Sequence, residues 1–502
     1  MDSDLIKKIR KQRWIFYVNR KFNWFVEYTQ IQANRHDIQA RYLGFANPVK
    51  NYLILNGEEY SSEQEFPDYF SFFDRHFTKD VNFFAKFAEN LLKLSERTRR
   101  FTRKLKGMNL EILSDQKLED LLQKFSNEYT ISFLAASTRP DDFLDLKLKE
   151  FIKKRIPRLD SAVEEIFSKI ATYSKTKGLV YVEEPLALLK IAREIKKKRC
   201  DINNFPRELQ EKIEKHIEKY AWLKGPVLYD EIAFSKEEYL KRIRLLIQKN
   251  IDYEIGKITK SRAKSKGDFN LLVYKHRIKG KFMKLCEAVR DFIYLRTYTT
   301  EVSDYLFYVG RKTLLKELAE RLSVKKEDIT MLEPGEILLY LREKKVLRDL
   351  IEQRKQEFAI LWIDGELTTL FGPVVSDLQS EILQNQTPEV KYFRLNHVIK
   401  GMVASKGSIR GKVKVLSSYK DTDKVKKGEI LVASMTTPDY ILAMEKAAAF
   451  VTDEGGITCH AAIIAREFGV PCIVGTKIAT KVLKDGDFVE VDGKSGIIKK
   501  IS

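Results

Sequence analysis

Apolar residues recur at every third or fourth position through long stretches of the chain between positions 1 and 400. Phe84, Phe87, Leu91 and Leu94 form one such stripe. A second stripe with the same spacings consists of Leu159, Val163, Ile166 and Ile170. Spacings of three and four bring side chains onto one face of an α-helix, where they can pack against another helix. The pattern predicts that this part of the chain is mostly helical.

The segment 1–60 is less regular. Runs rich in aromatic and β-branched residues, 14–18 and 51–55, are bounded by turn signals at Asn47-Pro48 and Asn56-Gly57. Such runs between turn signals are typical of strands, so we predict a few strands here. The aromatic residues are interpreted as core, because basic residues do not alternate with them as they do on a surface that stacks nucleic-acid bases.

The last hundred residues show short apolar runs separated by turns. The runs 429–434 and 447–451 have the length of buried strands. Residues 482–501 alternate apolar positions with turn signals at Asp485-Gly486 and Asp492-Gly493, which is typical of closing hairpin strands. This pattern predicts a small, layered α/β domain.

Glycine usage also divides the chain. Residues 1–400 hold 12 glycines and residues 401–502 hold 11. We predict a multidomain protein with a mostly α-helical N-terminal region, a few strands within the segment 1–60, and a C-terminal α/β domain. The predicted boundaries are an α/β or helical subdomain at 1–110, a helical domain at 111–385, a linker at 386–400 and the C-terminal domain at 401–502.

One histidine stands in an unusual local context. Gly455 and Gly456 follow a predicted strand and allow the backbone to turn sharply. Thr458 is a suitable N-cap, and good helix formers follow until Gly469 at the C-terminal stop position. A strand, a turn and a helix are therefore predicted in this order, with His460 in the first turn of the helix.

The first turn of a helix favours a phosphorylated histidine. Its backbone N–H groups lack intrahelical partners, and the positive end of the helix dipole lies there, so a phosphoryl group on His460 would find donors. The same field disfavours the protonated ring, and the neutral ring keeps the lone pair that attacks phosphorus. For an isolated histidine, a role as a helix cap or turn donor would be the simpler interpretation.

Residues 455–466 resemble the phosphohistidine signature of the phosphoenolpyruvate-utilising enzymes. The signature is Gly-Gly-x-Thr-x-His-Ala-Ala followed by two aliphatic residues, Ala and Arg, and every specified position is filled. The resemblance covers about the last hundred residues, the swivelling mobile domain seen in phosphoenolpyruvate synthase, pyruvate phosphate dikinase and rifampin phosphotransferase. It implies that residues 401–502 are a swivelling phosphohistidine domain and that His460 is transiently phosphorylated.

Two further segments are similar to this family. Residues 401–411 are similar to its entry hairpin, with Lys406 where proline is usual. Residues 436–439 match a Thr-x-Pro-Asp segment that leads into a helix near the phosphohistidine. The resemblance makes Thr436 a candidate neighbour of His460, although a hydroxyl in a turn before proline is also an ordinary feature.

The resemblance also implies cofactors and partners. In this family an ATP-grasp domain charges the histidine, and residues 1–400 show neither its glycine-rich strands nor its paired acidic metal ligands. We therefore expect a separate ATP-grasp protein to bind ATP and Mg²⁺, and His460 to pass the phosphoryl group to a small molecule held by the helical domain. No metal site is predicted on this chain. The residues expected to shape the phosphate cradle are Gly455, Gly456, Thr458 and Cys459, whose thiol is the less favoured alternative nucleophile.

Two other functions compete with this interpretation. A regulatory or scaffold protein could use the swivelling domain for docking, without turnover. A nucleic-acid-binding protein would fit the formal net charge of +20, since a basic surface attracts phosphate backbones. Outside 196–199 and 257–284 the basic residues are diffuse and interleaved with acidic ones, so nucleic acid is the less favoured partner.

Composition indicates a cytoplasmic globular protein. Hydrophobic residues make up 44% of the chain, and no apolar stretch reaches the roughly 18 residues that a membrane span needs. The charged N-terminus does not resemble a signal peptide. The four cysteines show no metal-ligand spacing, which favours reduced thiols. We expect no membrane association.

Overall fold

Strands from two distant parts of the chain pair in one antiparallel sheet. Its strands are β1 (Trp14–Asn19), β2 (Tyr52–Leu55), β3 (Glu58–Ser62), β4 (Phe358–Ile363) and β5 (Glu366–Phe371). They lie in the order β1-β3-β2-β4-β5. Helices α1 (Ser3–Lys11) and α17 (Pro373–Asn385) contribute to the apolar core on one face of this sheet.

The structure is a computed structural model, and it describes most of the chain. The described residues are 3–19, 23–138, 140–155, 163–172, 178–200, 205–224, 233–343, 348–385, 397–416, 419–436, 440–456 and 459–501. Among these residues, no helix combines the length and the apolar character that crossing a membrane requires.

Both hairpins of the five-stranded sheet turn through two residues with positive φ. Asn56 and Gly57 join β2 to β3 with φ of 49° and 83°, and Asp364 and Gly365 join β4 to β5 with φ of 52° and 88°. Positive φ at both central positions is typical of a type I′ turn, whose twist matches that of the flanking strands. The strands predicted within the segment 1–60 are present, and the β4–β5 hairpin is additional.

This sheet crosses the predicted domain boundaries. Leu53 of β2 pairs with Leu361 of β4. The chain divides into unit 1, with residues 1–21, 49–66 and 356–502, and unit 2, with residues 22–48 and 67–355. The predicted ranges 1–110 and 111–385 do not coincide with these units, because backbone pairing joins strands that are distant in sequence.

Unit 2 is built from helices. In its described part they are α2 (Trp24–Asn34), α3 (His36–Leu43), α4 (Phe66–Lys79), α5 (Phe83–Lys106), α6 (Asp115–Ser137), α7 (Asp141–Arg155), α8 (Val163–Thr172), α9 (Val180–Lys198), α10 (Arg207–Tyr220), α11 (Lys236–Ile247), α12 (Ile251–Lys275), α13 (Lys281–Lys312), α14 (Leu314–Arg321), α15 (Pro334–Glu343) and α16 (Arg348–Gln356). Phe25, Phe125, Tyr129 and Phe307 pack in its core with ring centroids 5.1 to 6.1 Å apart. The prediction of a mostly helical region is confirmed.

The two predicted apolar stripes lie on helices of unit 2. The stripe that begins at Phe84 is buried along α5. In the second stripe, Val163, Ile166 and Ile170 are buried on α8, and Leu159 lies outside the described residues. Burial of one face of each helix is the packing that the spacing predicted.

The C-terminal domain is a second sheet with helices on it. Its described elements are β6 (Val398–Lys400), β7 (Met402–Ser405), β8 (Ser408–Leu416), β9 (Ile430–Ala433), α18 (Ile441–Met444), β10 (Ala449–Thr452), α19 (His460–Phe468), β11 (Cys472–Val474), α20 (Ala479–Val482), β12 (Phe488–Asp492) and β13 (Ile497–Lys500). The eight strands follow the order β6-β13-β12-β8-β9-β10-β11-β7. Strands β8, β9, β10 and β11 are parallel, and the other pairs are antiparallel.

The parallel strands are buried on both faces. Leu431 and Phe450 face one core with α18 and α19, while Val432 and Val451 face the other core with α20. Burial on both faces explains why these strands are short continuous apolar runs in the sequence. The predicted runs 429–434 and 447–451 correspond to β9 and β10.

The predicted linker, 386–400, overlaps the beginning of this sheet. Residues 386–396 lie outside the described residues, and β6 begins at Val398. Lys400 of β6 pairs with Ile497 of β13. The sheet of the C-terminal domain therefore includes a strand that precedes residue 401.

Candidate functional site

The site lies at the carboxyl edge of two neighbouring parallel strands. Ala433, the last residue of β9, pairs with Thr452, the last residue of β10. Because parallel strands end at the same edge of a sheet, the segments that follow them run side by side. The first segment leads to Thr436, and the second leads to His460.

His460 is the first residue of helix α19. The N-cap is Cys459, which is extended with φ of −70° and ψ of 169°. The sequence predicted Thr458 as the N-cap; the structure places the cap one residue later, and Thr458 lies outside the described residues. The helix ends at Gly469, as predicted, with φ of 70° and its N–H donating to Ala465. His460 therefore lies in the first turn, where backbone N–H groups lack intrahelical partners.

Thr436 contacts the His460 ring. The Thr436 Oγ1 atom lies 3.0 Å from Nδ1 of His460, and only 5% of Thr436 is exposed. The other ring nitrogen, Nε2, is not part of this hydrogen bond. When Nδ1 carries the proton and donates it to Thr436, Nε2 keeps its lone pair.

Burial determines the charge of this histidine. Loss of hydration lowers the pKa of His460 to about 4, from an ordinary value of 6.5. The ring is therefore neutral across the physiological range of pH. A neutral imidazole with one free lone pair is a nucleophile, whereas the imidazolium is not.

The turn before α19 requires glycine at position 455. Gly455 has φ of 96°, and a Cβ atom there would lie 2.8 Å from both Cβ and Sγ of Cys459. Gly475, with φ of 70°, approaches the same turn, and its Cβ would lie 3.1 Å from the Gly455 carbonyl oxygen. The N–H of Cys459 donates to the Gly456 carbonyl at 3.0 Å. These contacts fix the backbone immediately before His460.

Two polar residues at this edge were not predicted. Ser434 donates from its hydroxyl to the Glu454 carboxylate at 2.8 Å, and the Glu454 N–H donates to the Ser434 carbonyl at 2.9 Å. Ser434 is the last residue of the predicted run 429–434, and Glu454 closely follows the predicted run 447–451. The rule that parallel strands end at one edge could have placed them beside Thr436 from the sequence alone.

The described residues do not supply a metal site. Within them, no group of three or more His, Cys, Asp or Glu side chains is arranged so that it could hold a metal ion.

The domain that carries this site matches a known family of domains. Residues 425–496 match the family described as PEP-utilising enzyme, mobile domain. The chain therefore contains a segment that is similar to the mobile domain of the PEP-utilising enzymes.

Several similar proteins carry related names. A probable phosphoenolpyruvate synthase of Archaeoglobus fulgidus is 62% identical over 101 residues, which are 20% of this chain and 13% of the relative. The phosphoenolpyruvate synthase of Pyrococcus furiosus is 39% identical over 192 residues, which are 38% of this chain and 23% of the relative. The uncharacterized phosphotransferase YvkC of Bacillus subtilis is 28% identical over 324 residues, which are 60% of this chain and 39% of the relative.

The extent of these similarities differs. The segments of this chain that match cover between 13% and 39% of the length of these three relatives. The 324-residue similarity to YvkC is longer than the C-terminal domain, so it includes part of the preceding region. That region is helical over most of its described length.

Proposed function

We propose that this chain is the phosphohistidine-carrying component of a phosphotransferase. His460 takes a phosphoryl group that originates from ATP and passes it to a small-molecule acceptor. The observation that carries this proposal is the neutral His460 ring at the start of α19, held at Nδ1 by Thr436. The arrangement leaves Nε2 as the nitrogen that reacts.

In the first step, Nε2 of His460 attacks phosphorus. The N–P bond forms as the P–O bond to the leaving phosphate breaks, and positive charge develops on the ring. With its proton on Nδ1, the ring donates to the Thr436 hydroxyl oxygen 3.0 Å away, which keeps the ring oriented and stabilises this charge. A hydrogen bond to a charged group contributes about 1.5 to 3 kcal/mol. N–H groups in the first turn of a helix have no intrahelical acceptor and can donate to the phosphoryl oxygens.

In the second step, an acceptor oxygen that has already lost its proton attacks the phosphoryl group on Nε2. The N–P bond breaks and its electron pair returns to Nε2, so the ring is neutral again. Because burial lowers the pKa of His460, the ring does not remain protonated after transfer. The histidine is thereby ready for another phosphoryl group.

The charging site is assigned to a separate ATP-grasp protein that binds ATP and Mg²⁺. The acceptor is assigned to the helical region, and the similarity of that region to a protein named phosphotransferase supports the assignment. The relatives named phosphoenolpyruvate synthase make a phosphoenolpyruvate synthase-like reaction the first to examine.

Charging and discharging can be tested in sequence. The chain is incubated with a candidate ATP-grasp protein, Mg²⁺ and ATP carrying radioactive phosphorus at the β or the γ position, and is then separated from nucleotide. Candidate acceptors are added to the charged protein. Transfer of label from the protein to a small molecule supports the proposal. If no partner labels the chain although the two proteins bind each other, the scaffold function replaces the enzyme.

A further inference from the structure

Asp453 is a buried carboxylate that the steps above do not use. It follows β10 directly, and 4% of it is exposed. Its Oδ1 accepts a hydrogen bond from the Thr476 hydroxyl at 2.8 Å, and its Oδ2 accepts from the Thr480 N–H at 3.2 Å and from the Thr480 hydroxyl. Burial of a carboxylate is costly, so donors must surround it. These donors attach Asp453 to the segment that follows β11.

The backbone of Asp453 is attached to two neighbouring segments. Its N–H donates to the Ala433 carbonyl at 3.2 Å, and its carbonyl accepts from the Lys477 N–H at 3.0 Å. Ala433 is the last residue of β9, three positions before Thr436. Asp453 therefore holds the segment that carries the hydrogen-bond partner of His460.

The Asp453 carboxylate also binds a residue next to the turn that precedes α19. Thr476, which it binds, immediately follows Gly475. Gly475 packs so closely on the turn before α19 that a Cβ atom would lie 3.1 Å from the Gly455 carbonyl oxygen. The turn leads through Cys459 to His460. Through Thr476 and Gly475, Asp453 supports the backbone that places the histidine.

We propose that Asp453 is a positioning residue that sets the separation of Thr436 and His460 without touching either side chain. Both members of the hydrogen-bonded pair are on segments that Asp453 anchors, one through its backbone and one through its carboxylate. This inference rests on the proposed function of His460 as a nucleophile. Loss of the carboxylate is expected to disturb the Thr436–His460 hydrogen bond, and with it the orientation of Nε2.

The test uses the full chain and phosphoramidate, a small phosphoryl donor that needs no protein partner. In this reaction the bond between Nε2 and phosphorus forms, and the bond between phosphorus and nitrogen of the donor breaks, so that ammonia leaves with the electron pair.

The variants are Asp453→Ala and Asp453→Asn. The control is Asp487→Asn, since the Asp487 carboxylate accepts from Lys500 at 2.7 Å and from the Lys484 N–H at 2.9 Å, on a different segment. Nitrogen-15 NMR of the His460 ring reports which nitrogen is protonated.

The expected result is a fall in the phosphorylation rate of about 10- to 100-fold for Asp453→Ala, since misplacement by about 1 Å can cost 100-fold. Asp453→Asn should lose less, because the amide keeps the shape and one acceptor oxygen. Asp487→Asn should stay within about 2-fold of the wild type, because the Asp487 carboxylate binds Lys500 and Lys484 and not the segments that carry Thr436 and His460. In both Asp453 variants the ring-nitrogen shifts should move, with protonation no longer confined to Nδ1.

Two results would overturn the inference. One is a folded Asp453→Ala protein that reacts at the wild-type rate. If Asp453→Ala does not fold, or if phosphoramidate does not react, the decisive result is an Asp453→Asn protein whose His460 nitrogen shifts equal those of the wild type. Failure of the proposed function gives a different result. In that case the wild type is never phosphorylated by ATP and partner proteins, but the His460 nitrogen shifts still change in the Asp453 variants.

Discussion

The Thr436 hydroxyl oxygen lies 3.0 Å from Nδ1 of His460, although the two residues are 24 positions apart in the chain. They meet because β9 and β10 are adjacent parallel strands, and the segments after both strands leave the sheet at the same edge. In the proposed function, this contact gives the two ring nitrogens different roles. Nδ1 orients the ring, and Nε2 reacts with phosphorus.

Replacing Thr436 by valine tests these roles. Valine keeps the branched shape of threonine and removes the oxygen that contacts Nδ1, so the ring loses its orientation and its preferred tautomer. We expect the rate of His460 phosphorylation to fall about 10- to 100-fold, in line with the loss of a hydrogen bond of about 1.5 to 3 kcal/mol. Measurement of single-turnover labelling gives the rate.

A matched variant controls for packing at this position. Thr436→Ser keeps the hydroxyl and should retain most of the rate, because the hydrogen bond to Nδ1 can still form. Equal rates for Thr436→Val and the wild type would show that the hydroxyl does not contribute to the reaction.

The pH dependence of His460 follows from its burial. The pKa of the folded ring is lowered to about 4, below the ordinary value of 6.5, so the unfolded chain binds a proton at higher pH than the folded chain does. The contribution of this histidine to stability is complete above pH 6.5 and is lost as the pH falls towards 4. Between these values the folded ring should remain a neutral nucleophile.

NMR titration of the His460 ring measures this property directly. We expect a midpoint near 4, whereas a synthetic peptide of residues 452–468 should titrate near 6.5. The assignment comes from the signal that disappears in His460→Gln. A midpoint for the folded protein at or above 6 would be inconsistent with the loss of hydration that lowers the pKa of His460.

Gly455→Ala should disturb the turn before α19 in two ways. The new side chain strains the backbone, which has positive φ at this position, and it also clashes with Cys459. The new Cβ would lie 2.8 Å from Cβ and Sγ of Cys459, and overpacking of this kind costs about 1 to 3 kcal/mol. The suitable control is Gly428→Ala, because Gly428 has a similar φ of 89° and no atom within 4 Å of the position of a Cβ. Both variants carry the backbone strain, and only Gly455→Ala adds the clash.

Amide hydrogen exchange measured by mass spectrometry compares the two variants. Faster exchange in β10 and α19 is expected for Gly455→Ala, together with slower phosphorylation of His460. Gly428→Ala should leave phosphorylation unchanged. Similar behaviour of the two variants would show that contact with Cys459 does not constrain the turn.

In unit 2, Gly310→Ala should be strongly destabilising. A Cβ on Gly310 would lie 2.3 Å from two ring atoms of Phe125, which is fully buried and packs against Tyr129 at 6.0 Å. We expect a loss of about 1 to 3 kcal/mol, or misfolding of this unit. Gly267→Ala in α12 meets no atom within 4 Å and should stabilise the helix by up to about 1 kcal/mol. Scanning calorimetry distinguishes the two, and an unchanged transition in Gly310→Ala would contradict the packing described here.

Local signals in the sequence predicted several features of the fold. The Asn56-Gly57 signal corresponds to a hairpin, and Gly469 ends α19 with positive φ. Asp364-Gly365 carries a similar signal and joins β4 to β5, yet this hairpin was not predicted. Its pairing with β2 depends on a contact between distant parts of the chain, which local periodicity does not contain.

The residues of the site differ in how far the sequence predicted them. The position of His460 in the first helical turn followed from local glycine and capping signals. Thr436 was a candidate only through its resemblance to a family segment, because a hydroxyl in a turn has no distinctive local signal. The supporting role of Asp453 depends on Thr476 and Thr480, which are distant in sequence, and it required the structure.

Intact-mass spectrometry at alkaline pH, where phosphohistidine survives, shows whether His460 carries the phosphoryl group. Wild type and His460→Ala are incubated with ATP and Mg²⁺, with and without candidate ATP-grasp proteins. We expect one added phosphoryl group on the wild type in the presence of the right partner, and none on His460→Ala. A phosphoryl group of equal yield on His460→Ala would contradict it, since the phosphoryl group would then be carried by another residue.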